Sequence, residues 1–327
     1  MPRPILTILI ACATLAAAGA PAAGATAAAR PDSIVAADSL AWRLVPAAVV
    51  ASSGDGRGQV VEPSGVVADA FGRLVITDAA LHRLQRFDPA GRWLGTSGSL
   101  GSDPGQLRRP GAVVMLGALA VAVLDRENRR IESYDLFGRR LGTIVDLNDE
   151  TLLDRVGRIE PVTLAADRGG ALYLADSERD RVLAFDFAGQ YLRTIGGFGA
   201  RPGSFRGLGG LAVSPDGGLV TAERVNARVQ RLDAGGRVTV SWALPASRLP
   251  GAMPVAVDDS GRVAVGDEAA GKVWLFDPSG RPLAALAGLA RPRALAFAPD
   301  GTMLIAEAAG TVRRFTLLRA SPAPRGD

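Results

Sequence analysis

Short apolar runs of four to six residues fill the chain, separated by acids, bases and glycine turns. The stretch LYLADSERDRVLAFDFAGQYLRTIG, Leu172 to Gly196, shows the unit. An apolar run ends on Asp176, Arg181 opens the next, an Asp-Gly turn follows, and a third run closes the stretch. The runs are rich in Val, Leu, Ile and Phe and bounded by turn residues, which predicts β-strands. Strict alternation of apolar and polar positions is rare, as expected for sheets buried on both faces. In the third run of each unit, Leu84 and Phe87, Ile131 and Tyr134, and Val182 and Phe185 fall on opposite faces of one strand. Each such strand is therefore predicted to touch a different sheet on either side.

The unit recurs. An acid closes the second run at Asp78, Asp125, Asp176, Glu223, Asp267 and Glu307. A base opens the third run five residues later at Arg83, Arg130, Arg181, Arg228 and Lys272, while Thr311 stands there in the last copy. By subtraction, successive acids are 47, 51, 47, 44 and 40 residues apart. A period of this size made of short strands predicts propeller blades. The turns DAFGR, DRGGA, SPDGG, DDSGR and APDGT join the first and second runs, and DPAGR, DLFGR, DFAGQ, DAGGR and DPSGR the third and fourth. Asp bonds the backbone ahead of it, and Gly takes the positive φ of a tight hairpin. The sixth copy lacks its fourth run, and AWRLVPAAVV near the front has the shape of one. Trp42 to Val50 is thus predicted to close the ring as the outer strand of the last blade, covering an edge that would otherwise be open. The fold class expected is all-β: a six-bladed β-propeller of four-stranded antiparallel blades over residues 42–318, closed by an N-terminal strand, with a polar tail at 319–327.

This pattern, with Pro before the first run, the strand-ending acid and the Arg five residues on, resembles NHL repeats from about Trp42 to Leu318. The SPDG and APDG turns also resemble the wider TolB-like six-bladed propellers. The resemblance implies mainly binding platforms, with a minority of enzymes on related folds. Repetition of the acid and base in nearly every copy argues that they hold the scaffold, since a site would occur once.

Composition adds little chemistry. The chain has 37 basic and 33 acidic residues, and Lys272 is the single Lys. The Arg and Ala bias fits a GC-rich bacterial coding sequence, and a net charge of +4 is small for this length. Charges in the loops DRENRR, DSERDR and DEAAGK are mixed, and aromatics are 5%. A nucleic-acid surface, which needs clustered positive charge with stacking rings, is not expected. At the front, Arg3, the apolar stretch Ile5 to Ala18 and the small residues Ala23-Gly24-Ala25 read as an export signal cleaved near Thr26, followed by a linker to residue 41. Leu9 to Cys12 resembles a lipoprotein box, a less favoured alternative. The protein is expected in the periplasm or outside the cell, as a monomer without a transmembrane span in its mature part. Cys12 is the only cysteine, so if the signal is removed no disulfide or thiolate metal site is expected in the mature chain.

Function is expected on the face that carries the second-to-third loops and the variable connections between blades. The residues just before each innermost strand are Glu62, Arg109, Glu160, Gly207, Gly251 and Arg291. They are expected to ring the channel mouth, with signs alternating from Arg291 through Glu62 and Arg109 to Glu160. Two readings stand: a mouth that binds a polar or zwitterionic ligand, or mutual salt bridges that hold the blade ends. The insert Asp146 to Pro161 is expected to hold a short helix capped by Asp149, as a plug over a blade junction or a lip over the channel. The single His, His82, is too little for a catalytic zinc site and lacks a nucleophile motif nearby. A resemblance to SMP-30-type lactonases on six-bladed propellers would imply a calcium site of one Glu, Asn side chains and an Asp in the channel; Glu62 stands where such a Glu could stand, but Asn128, Asn148 and Asn226 lie in loops. The expectation is therefore a binding or scaffold propeller for a protein partner or envelope ligand, with no cofactor. The alternative is a metal-dependent hydrolase or lactonase using acids at the channel mouth.

Overall fold

Four consecutive strands form each of the first five antiparallel blades in a computed structural model, which describes residues 41–245 and 251–320. Blade 1 runs over Pro63–Ser97, blade 2 over Pro110–Asp146, blade 3 over Pro161–Gly196, blade 4 over Leu208–Ala243 and blade 5 over Val255–Leu286. Blade 6 takes three strands from Pro292–Arg319, its fourth strand is Trp42–Ser53 from the front of the chain, and the two residues Gln59–Val60 pair parallel with the end of that strand. That strand pairs antiparallel with Thr311–Arg319 from Trp42↔Arg319 to Ala51↔Val312. The predicted closure is observed, three residues longer than Trp42 to Val50. The segment expected to be an export signal, with Cys12, most of the expected linker and the tail beyond residue 320 lie outside the described residues. Among the described residues no helix is long and apolar enough to cross a membrane.

Six apolar clusters fill the six junctions between blades. Val182 lies in the cluster between blades 3 and 4, and Phe185, three residues on, in the cluster between blades 2 and 3. Leu84 and Phe87 divide in the same way between the junctions on either side of blade 1. One strand thus serves two interfaces, which is why its polar alternation is missing. Neighbouring inner strands also approach closely. A Cβ on Gly65 would lie 2.8 Å from the Gly111 carbonyl, and one on Gly210 would lie 2.0 Å from the Met253 carbonyl.

The repeated acids and bases are splints. Asp78, Asp125, Asp176 and Glu223 are fully buried at the ends of their strands. Each accepts a backbone N–H from the segment leading into its own blade's innermost strand: Glu62 N at 3.1 Å, Arg108 N at 2.7 Å, Glu160 N at 2.7 Å and Arg206 N at 3.1 Å. Each pairs with its Arg, at 3.6, 2.9, 2.7 and 2.7 Å in chain order. The same guanidinium donates to a carbonyl of that segment, as Arg130 does to Gln106 and Arg228 to Ser204. Burial pushes the Asp125 carboxyl up, against hydrogen bonds from Arg108 N–H, Asn128 and Arg130. In blade 6 Thr311 lacks the charge, and Arg313 reaches Glu307 at 2.5 Å instead. In blade 5 Lys272 is exposed and lies over the Trp274 ring, and Glu268 takes the Ala252 N–H.

The insert forms a helix at Glu150–Val156, with Asp149 accepting from Leu152 N at the N-cap. Leu152 and Val156 sit in the cluster between blades 2 and 3, so the helix is a plug over that junction.

The hairpin turns on the opposite face fasten themselves by one device. Asp135 Oδ1 accepts from Phe137 N and Arg139 N, and Asp277 Oδ1 from Ser279 N and Arg281 N. The Arg92 N–H holds the Asp88 carboxyl below its ordinary value, and the Arg237 N–H does the same for Asp233. At Asp135, partial burial acts upward and is outweighed by the Arg139 and Phe137 N–H groups. A depressed carboxyl contributes stability above its unfolded value, and that stability is lost as pH falls through the folded value. The melting temperature is therefore expected to hold from neutrality to about pH 4 and to fall below it. Asp135→Asn keeps the acceptor without the proton, so its melting temperature should fall less steeply between about pH 4 and pH 2. An unchanged slope would show that the turn carboxylates do not set acid sensitivity.

Candidate functional site

The innermost strands surround a cavity of about 630 Å³ that runs through the ring. Its lining includes Glu62, Arg109 and Glu268 at the loop face and Gly117, Asp167 and Arg168 at the turn face. Between them the wall carries no charge and mixes half-buried apolar side chains such as Val67, Val114, Val213 and Phe297 with Ser64, Thr163 and strand backbone. At the turn face Arg168 and Asp259, from blades 3 and 5, pair at 2.6 Å. Both are largely exposed, so the pair holds little in water.

At the loop face a chain of ion pairs crosses four blades. Arg109 Nη2 donates to both oxygens of Glu62, at 2.8 and 2.9 Å. Arg293 Nη1 reaches Glu62 at 2.6 Å, and its Nε reaches Glu268 at 3.0 Å. Arg291 Nη2 reaches the same Glu268 oxygen at 2.8 Å. The other Glu268 oxygen takes the Ala252 N–H at 2.7 Å. Burial acts upward on the Glu268 carboxyl, but the Ala252 N–H and Arg293 outweigh it and hold the group low. Burial likewise acts downward on Arg293, and its bonds to Glu268 and Glu62 raise it above the ordinary value.

Four of the predicted mouth residues carry charge, and they separate. Glu62 and Arg109 meet and line the cavity; Arg291 joins the chain through Glu268 rather than Glu62; Glu160 is exposed and outside the lining. Gly251 lines the cavity, and Gly207 does not. Three further residues belong to the mouth: Arg293, Glu268 and Arg126. Arg293 has a plain signal in the sequence, as the one charged residue within the six innermost strands. Glu268 and Arg126 each follow a strand-ending acid, where the other copies have Ala79, Ser177, Arg224 and Ala308.

Arg109 and Arg291 have positive φ, 49° and 63°. Gly207 takes φ 66° at the matching place in blade 4. A side chain other than Gly in this region costs energy and has to be held by its surroundings. His82, itself at φ 54°, helps to hold Arg109: its Nδ1 accepts the Arg109 N–H at 2.9 Å. That is a positioning role for the single His.

A hard cation fits this donor set poorly. Glu62 and Glu268 already face guanidinium groups. Asn128, Asn148 and Asn226 are bound to Asp125, Arg129 and Glu223, away from the channel. Among the described residues no three His, Cys, Asp or Glu side chains converge as a metal set. Calcium needs several convergent oxygens, and here they are neutralised or elsewhere.

No family model and no curated protein matches the chain. Solved structures do. Virginiamycin B lyase from Staphylococcus aureus is similar at 12% identity and TM-score 0.60, over 85% of this chain and 100% of that one. A gluconolactonase from Xanthomonas campestris is similar at 15% identity and TM-score 0.59, over 80% and 87%. The calcium-binding protein regucalcin from Agrobacterium tumefaciens is similar at 14% identity and TM-score 0.57, over 79% and 91%. At such identities the likeness is one of fold, and with the blade topology above it makes this chain a six-bladed β-propeller.

Proposed function

We propose that this chain is an exported, NHL-type binding propeller that takes a small ligand at the loop-face mouth of its channel. The observation that carries the reading is the ion-pair chain Arg109–Glu62–Arg293–Glu268–Arg291, set over a cavity of about 630 Å³ that below its mouth carries no charge until its far end. Ligand sites are typically of this size, with a few fixed polar groups that orient the ligand. Arg293 is the central link. Arg293→Met leaves Glu62 with Arg109 and Glu268 with Arg291, so the ring should still fold. Melting curves are to be recorded with a panel of small acids, amines, sugars and lactones. A compound that raises the wild-type melting temperature by several degrees and leaves the Arg293→Met protein unmoved supports the reading. No response across the panel, or an equal response in both proteins, would overturn it.

The second reading is hydrolysis of a lactone. The structural likeness to a gluconolactonase favours it. Glu62 is its candidate acid. The donor set does not fit calcium, so a lactonase here would have to work without the metal site of its SMP-30-type counterparts. Hydrolysis of glucono-δ-lactone above background, lost in Glu62→Gln, supports this reading. Background rates at all protein concentrations would dismiss it.

A further inference from the structure

We infer that the ligand is an amphipathic carboxylate, its anionic head on Arg126 and Arg109 and its apolar body in the channel. The inference rests on the binding reading above and names the ligand class. Charge comes first. The charged side chains lining the mouth are Arg109, Arg126, Arg293, Glu62 and Glu268, three positive against two negative. At the far end Asp167 and Arg168 cancel. The surplus is located. Arg109 and Arg293 are bound to acids, while Arg126 has no acidic partner among the described residues.

Arg126 is also placed to meet a ligand. Its stem crosses Gly111 at the start of blade 2's innermost strand, where a Cβ would lie 2.8 Å from Arg126 Cδ. Only the missing Cβ lets the side chain turn inward over the channel. Of the matching residues in other blades, Arg224 donates to the Gly251 carbonyl and Glu268 is held by Ala252 and two guanidinium groups. Arg126 is the charged member of that set left for a ligand. A carboxylate there makes a charge-assisted, planar pair, the geometry guanidinium groups favour.

Arg109 supplies the second contact. Its Nη2 is used by Glu62, and its Nε lies 3.7 Å from the half-exposed Glu127, too far for a hydrogen bond. It is kept at positive φ where blade 4 uses Gly207. Arg291 keeps the same backbone, φ 63°, beside Glu268, so this turn is what sets both guanidinium groups at the mouth. Below this head the wall offers Val67, Val114, Val213, Val257 and Phe297, with no charge until the far end. An aliphatic tail is the body that gains from such a wall.

The test is calorimetric titration of the wild-type protein with octanoate, acetate, octan-1-ol and octylamine. Octanoate is expected to bind, with octan-1-ol, acetate and octylamine each at least about tenfold weaker, since a hydrogen bond to a charged group is worth about ten- to a hundredfold. Arg126→Gln should weaken octanoate by about tenfold or more with an unchanged melting temperature. Arg109→Gly is the sharper variant. It should melt at or above the wild-type temperature, because Gly relieves the backbone, and still lose about tenfold in octanoate affinity. Equal binding of octan-1-ol or octylamine, or undiminished octanoate binding by Arg126→Gln, would overturn the inference. A lower melting temperature for Arg109→Gly with affinity retained would also overturn it, by making the pair structural. If a neutral or cationic panel compound binds in an Arg293-dependent way and octanoate does not, the anionic class fails while the binding reading stands. If nothing responds, both fail.

Discussion

A chain starting at Gly54 is expected to melt about 10–20 °C below one starting at Trp42, and to aggregate as it does so. The deleted strand serves two junctions at once. Leu44 packs in the cluster between blades 5 and 6, and Val50 and Ala51 in the cluster between blades 6 and 1. Burying a Leu or Val side chain contributes about 1.5–3 kcal/mol. The ladder adds the eight pairs from Trp42↔Arg319 to Ala51↔Val312, and each hydrogen bond nets about 1 kcal/mol. Even discounted for a compact unfolded state, the loss is about 5 kcal/mol, a large part of what a domain has. The exposed edge of Thr311–Arg319 then offers unpaired backbone to a second molecule. Circular dichroism melts of the two chains decide the matter. Transitions within about 2 °C of each other would mean that the ring does not depend on this clasp.

What the sequence discloses here follows from repetition. The blades are legible because each repeats the same turn chemistry and the same acid–base pair, so six weak signals add. The clasp is legible because the sixth copy is short by one strand. The mouth is harder to read, because a site is what the repeat does not share. Alternating charges were expected among the residues before each inner strand, from Arg291 to Glu160. The actual alternation runs through Arg293 and Glu268, one inside the strand and one after a strand-ending acid. Glu268 stands where blade 1 has Ala79, in an unshifted register, and its longer side chain turns back to take the Ala252 N–H. A role taken over by the next residue along is invisible to a pattern that aligns only the strand-ending acids. Arg293 and Arg126 are departures from small residues, Ser64 and Gly111 in one case and Ala79 and Ser177 in the other. Departures from the repeat, more than its conserved-looking charges, mark the mouth.

The same contrast between blades sets the second large effect. Arg181→Met should cost about 3–5 kcal/mol, because it strands a buried carboxylate, whereas Lys272→Met should change stability by less than about 0.5 kcal/mol. Both residues open the third strand of a blade five positions after an Asp, and the sequence alone treats them alike. Arg181 is buried, bonds Asp176 at 2.7 Å and donates to the Val156 carbonyl at the end of the helix at 2.7 Å. Its loss therefore leaves a buried charge without its counterion and leaves the Val156 carbonyl to Arg179 alone. Lys272 is exposed, rests on Trp274, and leaves the Ala252 N–H to Glu268. Denaturant melts of the two variants should separate by several kcal/mol, and equal losses would show that the pair acts through charge type and not through burial. The double change Arg181→Met with Asp176→Asn refines the point. Asn still accepts the Glu160 N–H that Asp176 Oδ1 takes at 2.7 Å, but it carries no charge to strand. The double variant should then be more stable than Arg181→Met alone, a non-additivity of about 1–3 kcal/mol that contacting residues can show. Strict additivity would place the cost in lost packing of the Arg181 stem, and the splint would be a matter of shape.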